Sequence, residues 1–322
     1  MYDICYEIGM EYANQEDYGS AIHFLKKSAE KGNIAALNNV GIAYEKMGNL
    51  KESLVWIKKA AAKKDSCALR NLALAYLNGN GVRKNYRLAL KYIEESADLG
   101  YTPALWTLGG MYEKGIGVKK DLKFAIELYK LGAKHETEFC DCSRTLAYCY
   151  KHGDGVRKNR RMAFKYFLKA AEKENVDGLY EVGYSYLTGT GVEKDIDKGI
   201  EYLCKAAKQN DIDSIITLRI FFHNDKEYKD RDTALHWVYR GEELNEPMSI
   251  LILAMMNLKS SKPEKIAKAK RYLTKFNKHI HEYDDYDVSK YETLKKEFSN
   301  YTFWNEVESS RQPISNNKKG NA

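Results

Sequence analysis

The stretch PALWTLGGMYEKGIGVKKDLKFAIELYKLGAKHETE, residues 103–138, decides the fold. Its first half sets Ala104, Leu105, Leu108, Gly109 and Tyr112 at helical spacing on one face. Gly115-Ile116-Gly117-Val118 then breaks that helix, because glycine tolerates the left-handed backbone that ends helices and makes tight reversals. Asp121 opens a second helix carrying Ala125, Ile126, Tyr129 and Ala133. Aspartate suits that position because its side-chain oxygen accepts from an unpaired first-turn amide, typically worth ~1 kcal/mol.

The same grammar recurs outward from this stretch. A helix-start residue stands four places before a small one at Asp17/Ala21, Asn49/Ser53, Asn85/Ala89, Asp121/Ala125, Asn159/Ala163, Asp195/Gly199 and Asp230/Ala234. The intervals of 32, 36, 36, 38, 36 and 35 residues define an internal repeat, which takes precedence over counting domains by length. Three residues after the small position comes Phe24, Trp56, Tyr92, Leu128, Tyr166, Tyr202 or Trp237. Small pairs such as Ala60-Ala61, Ala170-Ala171 and Ala206-Ala207 follow at offsets seven and eight, on the same helical face. They let a neighbouring helix approach closely while the aromatic fills the wider gap. The first helix of each unit ends in a recurring tyrosine (Tyr12, Tyr44, Tyr76, Tyr112, Tyr150, Tyr186), with Gly or Ala three residues earlier. A helical Gly costs ~1 kcal/mol relative to Ala, so its repeated use predicts close helix contact there.

Four units carry Gly-x-Gly-Val, beginning at Gly79, Gly115, Gly153 and Gly189. A phosphate-cradling reading fails because no strand precedes these loops and no Gly-Lys-Ser/Thr follows. The pattern A-x₃-L-G-x₂-Y-x₂-G-x-G-V-x-K-D-x₃-A-x₂-Y-x₃-A-A resembles the Sel-1-like repeat (SLR), a relative of the tetratricopeptide repeat. The resemblance implies an all-α fold: a right-handed α-α superhelix, a solenoid of antiparallel helix pairs, with about seven to eight repeats plus a C-terminal capping helix. Residues 1–66 read as two short tetratricopeptide-like repeats, 67–212 as four Sel-1-like repeats, and 213–282 as two degenerate repeats. Residues 283–310 read as the capping helix, with Tyr291, Leu294, Phe298, Tyr301 and Trp304 at 3–4 spacing, and 311–322 as a disordered tail.

Composition fits this reading. Four prolines in 322 residues suit a helical chain, and 44% apolar with 30% charged residues suits a folded one. No run of about 18 apolar residues occurs, and Met1-Tyr2-Asp3-Ile4-Cys5 lacks a basic region followed by an apolar one, so a cytoplasmic protein is expected. The six cysteines show no regular pairing interval, which predicts reduced thiols. His135, Cys140, Cys142, Cys149 and His152 are the densest set of soft-metal ligands. In the repeat register, however, Cys142 and Cys149 occupy small core slots, and Cys140-x-Cys142 is not a zinc-knuckle spacing. No metal, cofactor or catalytic residue is expected, and the chain reads as non-catalytic.

The function implied by the resemblance is protein–protein interaction, as adaptor, scaffold or regulator, through a concave groove lined by the first helices. The outward slots of those helices give Asn38, Asn39, Arg70, Asn71, Trp106, Arg144, Tyr148, Tyr180 and Tyr184. Aromatic and Arg side chains dominate binding energies at interfaces, and this set suits an extended or helical peptide bearing carboxylates. The alternative is a nucleic-acid-associated helical repeat. It would use the basic cluster 151–173, where Lys151, Arg157, Lys158, Arg160, Arg161, Lys165, Lys169 and Lys173 face only Asp154 and Glu172. A solvated outer helix face accounts for the same residues.

Overall fold

In the computed structural model, which describes residues 3–136, 141–259, 262–279 and position 296, each repeat is a pair of antiparallel helices. The pairs are α1 (Ile4–Asn14) with α2 (Tyr18–Glu30), α3 (Ile34–Lys46) with α4 (Leu50–Ala61), α5 (Ser66–Asn78) with α6 (Tyr86–Asp98), and α7 (Thr102–Lys114) with α8 (Leu122–His135). There follow α9 (Asp141–His152) with α10 (Arg160–Ala171), α11 (Val176–Thr188) with α12 (Ile196–Lys208), α13 (Ile212–Asn224) with α14 (Arg231–Glu243), and α15 (Pro247–Leu258) with α16 (Pro263–His279). Eight pairs, and no strand among the described residues, meet the expectation of an all-α repeat fold. Apart from position 296, the capping helix and tail expected beyond residue 282 lie outside the described residues.

The chain divides into two compact units, Met1–Gly178 and Leu179–Ala322. In the first, every helix from α1 to α9 packs on its successor, and in the second the same holds from α12 to α15. Each is a solenoid, where a repeat buries its apolar face only against its neighbours.

All seven second-helix caps form as the register predicts. The side chains of Asp17, Asn49, Asn85, Asp121, Asn159 and Asp195 accept from the amide three residues on, and Asp230 from Asp232. Each cap residue also donates its own N–H, at 2.9–3.0 Å, to the carbonyl of the recurring tyrosine, or of Phe222 in the seventh repeat. That bond closes the hairpin whatever the length of the connection. Where the connection is long, glycine makes it possible: Gly115 ends α7 at φ 72°, and a Cβ on Gly117 would stand 2.9 Å from the Cβ of Tyr86 in the preceding repeat.

The helical glycines mark close approach within pairs, as predicted. A Cβ on Gly41 would meet Ile57 at 2.6 Å, and one on Gly183 would meet Leu203 at 2.8 Å. The recurring tyrosine lies on the recurring aromatic of its partner helix. Tyr12–Phe24, Tyr76–Tyr92, Tyr150–Tyr166 and Tyr186–Tyr202 stack with ring centroids 5.6, 5.9, 5.8 and 6.0 Å apart. The small pairs close the other end: Ala60, Ala61, Ala170, Ala171, Ala206 and Ala207 are all buried.

Candidate protein-binding face

The first helix of each pair presents its polar side chains in a fixed register, counted back from the recurring tyrosine. The residue six before it on one first helix bonds to the residue five before it on the next. Asn39 Nδ2 donates to Tyr6 Oη at 3.0 Å, and Asn71 Nδ2 to Asn38 Oδ1 at 3.0 Å. Arg70 Nε donates to Thr107 Oγ1 at 3.3 Å, and Trp106 Nε1 to Thr145 Oγ1 at 3.0 Å. In the second unit Tyr180 bonds to Thr217, and burial raises the Tyr180 phenol above its ordinary pKa. This ladder stitches successive first helices together, and six of the nine groove residues read from the sequence belong to it.

The nine therefore divide by environment. Asn38 is 4% exposed and spends its amide inside the ladder. Asn39, Asn71, Arg70, Trp106 and Tyr180 are half-buried, bonded at one edge and open at another. Arg144 leaves the ladder to reach Asp177 at 3.2 Å and Asp141 at 3.5 Å. Tyr148 is half-buried, its ring edge-on to Phe167 at 5.0 Å, with the Lys151 ammonium 5.8 Å from its centroid. Tyr184, two residues before its recurring tyrosine, is 44% exposed.

The Tyr184 slot continues through the second unit. Ile220 and Met255 hold the same position on α13 and α15, each nine residues after its helix's N-cap (Asp211 and Glu246), and are 49% and 37% exposed. Sequence reading missed both because Phe222 and Asn257 replace the tyrosine used as the ruler; counting from the N-cap recovers them. An exposed aromatic or aliphatic side chain in one slot of three successive first helices forms an apolar row of the kind that marks interaction surfaces.

Cys142 and Cys149 are buried in the core with Ala125, Ile126, Tyr129, Ala133 and Leu146, as small apolar residues. Burial raises both thiols above their ordinary pKa, Cys149 up to about 11, so neither is a thiolate at neutral pH. His135 and His152 are exposed, and Cys140 lies outside the described residues. Cys67 Sγ and Tyr101 Oη are 3.4 Å apart, and burial pushes the Tyr101 phenol up to about 12. The basic cluster does not act as one patch. Lys151 turns to Tyr148 and Lys169 Nζ donates to the Ala133 carbonyl at 3.3 Å, whereas Arg157, Lys158, Arg160 and Arg161 are exposed around a shallow depression at the start of α10.

The family model of the Sel1 repeat matches residues 1–33, 68–101, 102–136, 145–175 and 176–211, together just over half of the chain. The chain belongs to the Sel1 repeat family. One match begins the chain, where the first Sel1 repeat has no Gly-x-Gly loop. Among solved structures, the chain is similar to c5321, a protective antigen present in uropathogenic Escherichia coli strains displaying an SLR fold. The TM-score is 0.70 at 22% identity over 94% of this chain, which spans 66% of that protein's length. It is also similar to a Sel1 repeat protein from Oxalobacter formigenes, with a TM-score of 0.60 at 24% identity over 72% of this chain and 95% of the other. Both likenesses carry the fold. The Sel1 repeat fold is generally a protein–protein interaction scaffold, and its members are generally non-catalytic. No helix among the described residues is long and apolar enough to cross a membrane.

Proposed function

We propose that this Sel1 repeat protein is a non-catalytic adaptor that holds a peptide or protein partner on the face formed by its first helices. The observation that carries this reading is the exposed row of Tyr184, Ile220 and Met255. Three large apolar side chains in one repeat slot offer a partner anchors at regular spacing, and helices tied by the Tyr180–Thr217 bond and the Arg219–Glu246 ion pair offer them preorganised. In the first unit the first helices present Arg70, Asn71, Trp106, Arg144 and Tyr148, half-buried and partly committed to neighbours. Their aromatic edges and guanidinium groups favour a segment that brings carboxylates.

A photo-crosslinking side chain tests this directly. Placed at position 184, 220 or 106 in cells of the native host, it is expected to give adducts with one recurring polypeptide. Placed at Lys91, exposed on the second helix α6, it is expected to give none. Adducts only from position 91 would move the binding surface to the second helices and end this reading. The double substitution Ile220→Asp/Met255→Asp is expected to abolish the adduct from position 184.

A further inference from the structure

The connections that lead into α6, α8 and α10 carry more charge than the repeat pattern, whose one Lys stands just before the cap. Counting from each helix cap, the residues two and one before it are Arg83-Lys84, Lys119-Lys120 and Arg157-Lys158, and the residue two after it is Arg87, Lys123 or Arg161. Three slots in three consecutive repeats are all cationic. Every one of these side chains is exposed, and none has an ion pair among the described residues. The first two repeats place Gln15, Glu16 and Gly19, then Met47, Gly48 and Lys51, in those slots, so the helix start itself does not demand charge. The connection into α12, in the second unit, places Glu193, Lys194 and Asp197 there, and its Lys198 pairs with Asp195 at 2.8 Å.

The glycine loops bring the three clusters side by side. A Cβ on Gly117 would meet Tyr86 at 2.9 Å, and one on Gly155 would meet Leu122 at 3.2 Å. Lys119 and Lys120 therefore follow a loop seated on the first turn that carries Arg87, and Arg157 and Lys158 follow one seated on the turn that carries Lys123. The result is one basic edge along the first unit, reinforced by the positive ends of three helix dipoles. Its acidic members are Asp121, whose carboxylate accepts from the Phe124 amide, and the exposed Asp154.

We propose that this edge is a second docking surface, separate from the first-helix face, for an extended acidic polypeptide segment. The repeat spacing favours that occupant. Neighbouring helices pack ~10 Å apart, and an extended chain advances ~3.3 Å per residue, so carboxylates every third residue meet one cluster after another. A single-stranded nucleic acid would want a base-stacking ring in each repeat. The first-turn slot that holds exposed Tyr86 holds Leu122 and Arg160 in the next two repeats, so only the charge repeats.

The test is fluorescence anisotropy of a labelled (Glu-Glu-Gly)₄ peptide with the full chain at low salt. The (Gln-Gln-Gly)₄ peptide and a twelve-nucleotide oligo-dT are the comparison probes. The acidic peptide is expected to bind, and the Gln peptide is not. Substituting Lys119→Glu, Lys120→Glu, Arg157→Glu and Lys158→Glu together is expected to weaken binding at least tenfold, and the four-fold Gln version to weaken it less. Lys226→Glu with Lys229→Glu, exposed in the second unit, is expected to leave it unchanged. Equal binding by the four-fold variants, no binding of the acidic peptide, or tighter binding of oligo-dT than of the peptide would each overturn the proposal. Ile220→Asp is expected to leave peptide affinity intact, so failure at this edge and failure of the first-helix reading are separate results.

Discussion

The two units use one helix slot differently. Three residues before the recurring tyrosine, the first unit carries Gly9, Gly41, Ala73, Gly109 and Ala147, small residues that let the second helix of the same pair come in close. In the second unit Gly183 does the same on α11, but the slot on α13 holds Arg219, only 7% exposed. Its Nη1 donates to Glu246 Oε2 and Ser249 Oγ, both at 2.8 Å, while the Glu246 carboxylate caps α15 by accepting from the Met248 and Ser249 amides. The small slot therefore sets packing within a pair by shape, whereas Arg219 ties α13 to the first helix of the next pair by a buried ion pair. A small residue in that slot tolerates drift in its neighbours, whereas a buried charge ties α13 to one partner at one register.

The contrast is sharpest for Arg219→Ala. That change leaves Glu246 buried without its cation and is expected to cost about 3–5 kcal/mol. Hydrogen exchange read unit by unit should show the loss in the second unit, and unchanged protection there would mean that the slot works by size in both. Gly41→Ala is next: its new methyl meets Ile57 and the Ser53 carbonyl, and overpacking of this kind costs ~1–3 kcal/mol. Ala73→Gly, in the equivalent slot, is expected to cost ~1–2 kcal/mol through helix propensity and the lost core methyl. Denaturant midpoints of the pair would show whether the slot demands glycine repeat by repeat. Thr145→Val removes the acceptor of the Trp106 indole and is expected to lower stability by about 1 kcal/mol, measured the same way.

A smaller effect separates acidic from amide caps. Hydrogen bonds from Ser20, Lys198 and Thr233 hold the carboxyls of Asp17, Asp195 and Asp230 below their ordinary pKa of 3.8. A carboxyl with a depressed folded-state pKa stabilises fully above its unfolded value, and that stabilisation drains away as pH falls through the lowered one. Asn49, Asn85 and Asn159 do not titrate. Replacing the three aspartates by asparagine is therefore expected to flatten the fall in urea midpoint below pH ~4 and to leave neutral-pH stability nearly unchanged. Smallest of all, Ile220→Asp should shift stability by no more than about 0.5 kcal/mol, because the side chain it replaces already meets solvent.

The architecture was open to reading because repetition averages out local ambiguity. One Asp before one Ala says little, but seven in register fixed both helix starts and connections, and the structure places a cap at each. The site was less legible. Asn38, Arg70 and Trp106 have the types and spacing of binding residues, yet their partners are Asn71, Thr107 and Thr145, about one repeat away in sequence. A hydrogen bond between repeats depends on the stagger of two helices, which no single-helix periodicity encodes. Ile220 and Met255 escaped for the opposite reason: their exposure shows only once the neighbouring slots are known to be filled. Arg219 was equally hidden, since a charged residue on a helix reads as solvated until its acceptor is placed.

The hydrogen bond that joins each second-helix cap to the carbonyl of the recurring aromatic spans five residues in the first two repeats, nine in the next four and eight in the seventh. Because the clasp is the same in all three cases, whatever lies between its ends is free to lengthen or change character without disturbing the helices it joins. Each hairpin is thus a natural grafting point. New recognition sequences can be spliced into such tips, by evolution or by design, while the scaffold beneath keeps its form.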